Sequence, residues 1–174
     1  MGLTYEIGKL SLAGIVERFD NKSEEDKNKA TMVYSLSATY DFEVAKAFFG
    51  YQYANRFHSL DQLEDVWVSG KGMNQNAFTL GAEVPAAGGT FKVAANYGFG
   101  KVKSADGVVV DDTKLSNDKF NRFTVGAAYE YPLSKRTFVY GWGAYATAGK
   151  MFKENAVEEN FKSWSLGLGL HHTF

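Results

Sequence analysis

Most of this chain consists of short segments in which bulky apolar residues alternate, at every second position, with small or polar residues. In residues 91–99, for example, Phe, Val, Ala, Tyr and Phe alternate with Lys, Ala, Asn and Gly. Because successive side chains of a strand point to opposite faces, this pattern predicts β-strands with one bulky apolar face and one small polar face. The same alternation recurs in residues 32–40, 49–53, 78–84, 123–131 and 164–174.

The composition agrees with an all-β chain. Aromatic residues make up 16% of the 174 residues, and there are 18 glycines but only 2 prolines. Aromatic side chains favour strands, and glycine allows close backbone packing. The formal net charge of −1 gives no indication of a nucleic-acid partner. Since cysteine is absent, neither a disulfide framework nor a thiolate metal site can form.

The connections between the predicted strands alternate in length. Short turns are expected near residues 8–9, 43–45, 86–89 and 134–136, and long polar loops near residues 20–29, 58–74, 102–118 and 150–160. Bacterial transmembrane barrels have this pattern, with the short turns on the periplasmic side. We count eight strands, or nine if residues 3–7 form one, in a single domain spanning residues 1–174. In the second loop, Leu60, Leu63 and Trp67 have roughly helical spacing, so a short surface helix is also expected.

The choice between a soluble and a membrane barrel depends on which face touches water. A core built from the polar face would bury charges at a cost of several kcal/mol each, whereas a core built from the apolar face is physically sound. A soluble lipocalin-like carrier therefore remains an alternative. Aromatic residues near predicted strand ends favour the membrane, because they match an interfacial girdle; they are Tyr40, Tyr131, Trp164 and Phe174. We therefore predict a transmembrane, antiparallel, up-and-down β-barrel.

The alternation is ambiguous in two segments of the chain. Residues 10–19 and 138–149 can be read in either register, and for the second we favour Phe138, Tyr140 and Trp142 facing outward. No run of about 18 apolar residues exists, so no transmembrane helix is expected. Residues 1–6 lack the basic region and apolar stretch of a secretory signal, so we expect a processed, engineered or excised chain.

Four segments resemble the trimeric general diffusion porins of Gram-negative bacteria, of the Burkholderia and Neisseria type. The final residues 167–174 resemble the terminal strand of that family, and residues 131–137 resemble its periplasmic turn Leu-Ser-Lys-Arg-Thr. Residues 39–46 and 7–12 resemble two further turns. The resemblance implies the last nine strands of a sixteen-stranded barrel in the outer membrane. It also implies passive diffusion of small hydrophilic solutes and ions, and a homotrimer in the parent protein.

The same resemblance assigns a role to the last residue but identifies no residues of a channel constriction. Phe174 matches the terminal aromatic that is part of the signal read by the barrel-assembly machinery. The family's inward-folded constriction loop belongs to the first half of the barrel, so we name no eyelet residues. From the polar face we predict a set of pore-lining residues, which would bias permeating ions; they are Lys46, Gln52, Arg56, Glu83, Lys92, Asn96, Arg122 and Glu130.

An alternative is a small closed barrel of eight strands with a structural or adhesive role. Its interior would be filled by the polar side chains, whereas a barrel of about sixteen strands leaves a channel. We predict no metal, cofactor or catalytic site. The adjacent His171 and His172 point to opposite faces of a strand and cannot chelate one ion together. His58 followed by Ser59 is too little for a nucleophilic site, and residues 98–101 lack the third glycine of a nucleotide-binding motif.

Overall fold

The computed structural model describes residues 1–20, 30–57, 72–103, 109–110, 113–114, 119–150 and 162–173. Within these ranges every regular element is a β-strand, and none of the described residues forms a helix that could span a membrane. The strands are β1 (Gly2–Ile7), β2 (Leu10–Phe19), β3 (Thr31–Asp41), β4 (Lys46–Phe57), β5 (Met73–Ala86), β6 (Gly89–Val102), β7 (Val109–Val110), β8 (Thr113–Lys114), β9 (Lys119–Ser134), β10 (Thr137–Lys150) and β11 (Lys162–His172).

Nine of these strands form one antiparallel sheet in the order β1-β2-β3-β4-β5-β6-β9-β10-β11, and β7 pairs with β8 in a separate ribbon. Each large strand pairs with the next one along the chain, as in an up-and-down barrel wall. The turns after β1, β3, β5 and β9 are short, and those on the opposite side are long. The predicted all-β, antiparallel architecture is confirmed, with residues 2–7 as the ninth strand. The expected helix at Leu60, Leu63 and Trp67 lies outside the described residues.

The sheet is open within the part of the chain described. β1 and β11 are its two edges, and each pairs with one neighbour only. Eight antiparallel steps separate them, so the two edge strands run in the same direction. Pairing β1 directly with β11 would therefore give a parallel closure, unlike every other pairing in the sheet.

The register assigns the side chains of each strand to one of two faces. What we call the polar face carries, for example, Ser37, Thr79, Asn96 and Thr124. The opposite, apolar face carries mainly Leu, Val, Phe and Tyr, and most of these side chains are exposed. Among the described residues only four hydrophobic side chains are buried, near the long-loop ends of β5, β6, β9 and β10; they are Met73, Val102, Phe120 and Ala148. The apolar face thus has no packing partner in this part of the chain.

Aromatic residues cluster at two levels of the apolar face. Towards the long loops, Tyr34 stacks on Tyr53 with ring centroids 6.3 Å apart, and Tyr51 lies 4.9 Å from Phe78. Towards the short turns, the level is formed by Tyr40, Phe42, Phe91, Tyr129 and Tyr131. The six residue steps from Tyr34 to Tyr40 span about 20 Å at the usual strand rise. Two aromatic levels separated by an apolar band are typical of a transmembrane barrel.

The expected orientation of β10 is wrong. Tyr140 is the cross-strand partner of Glu130, and Trp142 is the partner of Ala128, so their side chains lie on the polar face. Glycines of β11 make room for them, because a Cβ at Gly167 would overlap the Trp142 indole and one at Gly169 would overlap the Tyr140 ring. Phe138 has the same parity and stacks on His171 with ring centroids 4.8 Å apart. On the apolar face, Gly141 and Gly143 of β10 are covered instead by leucine side chains of β11.

Candidate functional site

The predicted pore-lining residues come from four adjacent strands. Seven of them share the polar face, since the register aligns their positions; they are Lys46 and Gln52 on β4, Glu83 on β5, Lys92 and Asn96 on β6, and Arg122 and Glu130 on β9. The eighth, Arg56, is the extra residue of a β-bulge in β4, where its φ is 59°. Its carbonyl oxygen accepts a hydrogen bond from Thr31 Oγ1 at 2.6 Å. Sequence parity alone did not anticipate this bulge.

Charged side chains form a band across five strands at the short-turn end of the polar face. Lys92 Nζ lies 2.8 Å from Glu130 Oε2 and 3.7 Å from Glu83 Oε1. Lys46 is the cross-strand partner of Glu83, and its Nζ lies 3.7 Å from Asp41 Oδ2. Signs alternate along this charge band, in the order Asp41, Lys46, Glu83, Lys92 and Glu130. With three carboxylates and two lysines its net charge is −1, so neighbours almost neutralise one another.

Asp41 belongs to the charge band although it was not among the predicted residues. It has the same parity as Thr39 and Ser37 on β3, and it is the cross-strand partner of Lys46. Its Oδ1 also accepts a hydrogen bond from the Glu43 backbone N–H at 2.8 Å, which stabilises the turn that follows β3. The alternation in residues 31–41 already placed Asp41 on the polar face, so the sequence did contain this signal.

The centre of the polar face is neutral and lined by small residues. Asn96 Nδ2 donates to Thr79 Oγ1 at 2.7 Å, and Gln52 Nε2 donates to Ser35 Oγ at 3.2 Å. Between this level and the charge band lies an open groove of about 550 Å³. Its floor consists of small residues and its sides include two aromatic rings; the principal residues are Gly81, Ala94, Gly126, Ala144, Phe48 and Trp142. Trp142 lines this groove because its position in β10 is aligned with Ala128 on the polar face.

Arg122 lies apart from the charge band. Its cross-strand partners are Gly98 on β6 and Ala148 on β10, both small and uncharged. The Nε of Arg122 is shielded from solvent and finds no hydrogen-bond acceptor. Across the described ranges, none of the ion pairs involves this guanidinium.

The histidine pair at the end of β11 is divided between the two faces. His171 is the cross-strand partner of Phe138, whereas His172 is the partner of Thr137 and lies 2.8 Å from its Oγ1 through Nδ1. No group of three metal-ligating side chains occurs within the residues described. His58 and Phe174 lie outside the described ranges, so the structure does not bear on either of them.

Comparison with known proteins gives a consistent result. The profile of the Gram-negative porin family matches residues 1–150. An outer membrane porin protein of Bordetella pertussis is 30% identical over 193 residues, covering 99% of this chain and 45% of that protein. Among solved structures, the anion-selective porin from Comamonas acidovorans matches with a TM-score of 0.59 and 21% identity. That match covers 99% of this chain and 48% of the other, and it shows a shared fold. The chain thus spans about half the length of both relatives.

Proposed function

The chain belongs to the Gram-negative porin family, and from this membership we propose that it forms part of the wall of a water-filled barrel. Its location is the outer membrane, where it lies in the lipid bilayer. The completed barrel would pass small hydrophilic solutes and ions by passive diffusion. The polar face would line the channel, including the predicted residues Lys46, Gln52, Arg56, Glu83, Lys92, Asn96, Arg122 and Glu130.

The observation that carries this proposal is the exposed apolar face. Leu166, Leu168 and Leu170 of β11 are 74%, 91% and 62% exposed, and the other strands continue the same surface. Burying one such side chain contributes about 1.5–3 kcal/mol. Covering the whole face would therefore contribute on the order of tens of kcal/mol, compared with a typical total stability of about 5–15 kcal/mol. Lipid hydrocarbon against the apolar face would bury its side chains, and water against the polar face would solvate its charged and polar groups.

The direction of the edge strands supports a larger barrel than these nine strands. Because β1 and β11 run in the same direction, an entirely antiparallel closure needs an odd number of additional strands between them. Seven additional strands give the sixteen that we propose, an even number as in single-chain bacterial barrels. A barrel of about sixteen strands encloses an aqueous channel, whereas one of about eight is filled by its side chains. The coverage of about half of each relative agrees with this number.

We propose three further features from the sequence. The 174 residues would form a single unit of the wall, the completed protein would be a homotrimer, and Phe174 would belong to the signal read by the assembly machinery. The trimer and the role of Phe174 rest on the resemblance to porin segments, and the single unit rests on the lack of a Pro/Ser-rich linker in the sequence. The matched relatives are named as channels and not as enzymes, and we infer no catalytic role for this chain.

Conductance tests the proposal directly. We would replace the matching segment of the Bordetella porin with this chain and call the product the completed barrel. In planar bilayers it should form ohmic channels. The intact Bordetella porin is the positive control for the conductance measurement. The Bordetella protein lacking the segment, and this chain alone, should give no stable channel because neither can close antiparallel. A completed barrel that inserts as a folded protein but conducts no current would contradict the proposal.

A further inference from the structure

Among the described residues of the polar face, Arg122 carries a cationic side chain that forms no ion pair with a carboxylate. Its partner Gly98 lies six residues from Lys92 on β6, or about 20 Å along the strand. Glu130 lies eight residues further along β9, or about 26 Å away. The Debye length at physiological salt is about 8 Å, so the charge band does not screen this guanidinium.

The surroundings of Arg122 indicate that it does not serve to hold the sheet together. A structural arginine normally binds carboxylate or carbonyl oxygens through several of its five N–H groups. Here Nε is shielded from water without an acceptor, and the flanking Gly98, Ala148 and Thr124 are uncharged. The side chain as a whole is nevertheless partly exposed and forms no ion pair among the described residues, so its charge remains available to an ion in the channel.

The lysines of the polar face are in the opposite situation. Lys92 lies between Glu83 and Glu130, and Lys46 lies between Asp41 and Glu83. An ion that passes the charge band meets opposite charges within a few ångströms of one another, and their fields largely cancel. The number of basic residues on the face is therefore a poor guide to where an anion is stabilised.

We propose that Arg122 is the anion-interaction point of this wall, and that its preferred partners are small oxyanions bearing a carboxylate or phosphate group. The proposal rests on the channel function proposed above. A guanidinium matches the two oxygens of such groups in a fork, while a lysine offers only a point charge. A lone unit charge about 6 Å from an ion in water changes its local concentration about threefold. Lys46 and Lys92 contribute little, because each is neutralised by its neighbours.

Reversal potentials in a KCl gradient test the proposal in the completed barrel. Arg122→Gln should lower the ratio of anion to cation permeability about tenfold, because the lost charge attracts anions and repels cations by about threefold each. Arg122→Lys should leave the ratio unchanged. The control is Lys9→Gln, which removes one positive charge from the short turn after β1, where Lys9 pairs with Glu43 outside the pore-lining set, and it should leave the ratio unchanged. An unchanged ratio in Arg122→Gln overturns the proposal, as does an equal fall in the control.

Inorganic phosphate distinguishes binding of two oxygens by the guanidinium from attraction by a positive charge alone. Added to the bath, it should reduce the chloride current of the completed barrel, and this block should weaken in both Arg122→Lys and Arg122→Gln. Equal block in all three proteins overturns the oxyanion preference. A single-channel conductance close to that of the unsubstituted completed barrel shows that the variants are folded. A completed barrel without any conductance would contradict the channel function itself, which distinguishes that failure from the failure of this inference.

Discussion

The contact between Trp142 and Gly167 shows how one missing side chain can orient a strand. The indole lies over Gly167 on the polar face, and Tyr140 lies over Gly169 one level away. Aromatic rings that cover cross-strand glycines restore packing that glycine itself cannot provide. These two pairs join β10 to the edge strand β11, which has no second neighbour in the described sheet.

We expect Gly167→Val to weaken this join. The added side chain would overlap the indole, and overpacking of this kind typically costs about 1–3 kcal/mol. The yield of folded, inserted completed barrel should fall, measured by the mobility difference between heated and unheated samples on a denaturing gel. Gly14→Val is the matched control, because a Cβ at Gly14 meets nothing within 4 Å. Equal yields for the two variants would show that the Trp142 contact has no structural weight.

Individual residues also show where sequence reasoning reaches its limit. The parity of Lys92 and Glu130 could be predicted, because bulky and small or polar residues alternate regularly in residues 91–99 and 123–131. The orientation of Trp142 was not readable, because β10 has aromatic residues of both parities and the deciding glycines are on β11. The position of Arg56 was missed for another reason: a bulge adds one residue and breaks the period on which the prediction relies.

At the level of strands, the charge band links β3, β4, β5, β6 and β9 side by side. Its strongest contact is that between Lys92 and Glu130, whose side chains are 35% and 33% exposed. The pair formed by Lys46 and Asp41 is longer, at 3.7 Å, and more exposed. Exposed ion pairs contribute little, so the contribution of the band to stability should be concentrated at Lys92.

A double-mutant cycle measures this contribution. Lys92→Met leaves Glu83 and Glu130 without their shared cation, and we expect a coupling energy with Glu130→Gln of about 1 kcal/mol. The corresponding cycle with Lys46→Met and Asp41→Asn should give less than about half of that value. Urea unfolding of the completed barrel in lipid vesicles, followed by tryptophan fluorescence, supplies the four free energies of each cycle. Coupling energies of equal size in the two cycles would contradict this ranking.

At the scale of the whole molecule, the two faces require two different solvents. The chain has no cysteine, so single cysteines introduced for labelling would be unambiguous. In outer membranes that contain the completed barrel, a water-soluble maleimide should modify Ser37→Cys and Ser165→Cys on the polar face. It should not modify Leu36→Cys and Leu166→Cys, their neighbours on the apolar face. Modification of the leucine positions with protection of the serine positions would reverse the assignment of faces.

The scarcity of buried hydrophobic side chains among the described residues also constrains how this protein folds. A water-soluble globular protein can fold completely in water before it reaches its final location. Here the folded sheet would present a bare oily surface to water, so the finished shape is favourable only where lipid is already present. Folding and insertion into the bilayer must therefore be coupled. Before insertion, the chain has to be kept unfolded and prevented from aggregating with other copies of itself.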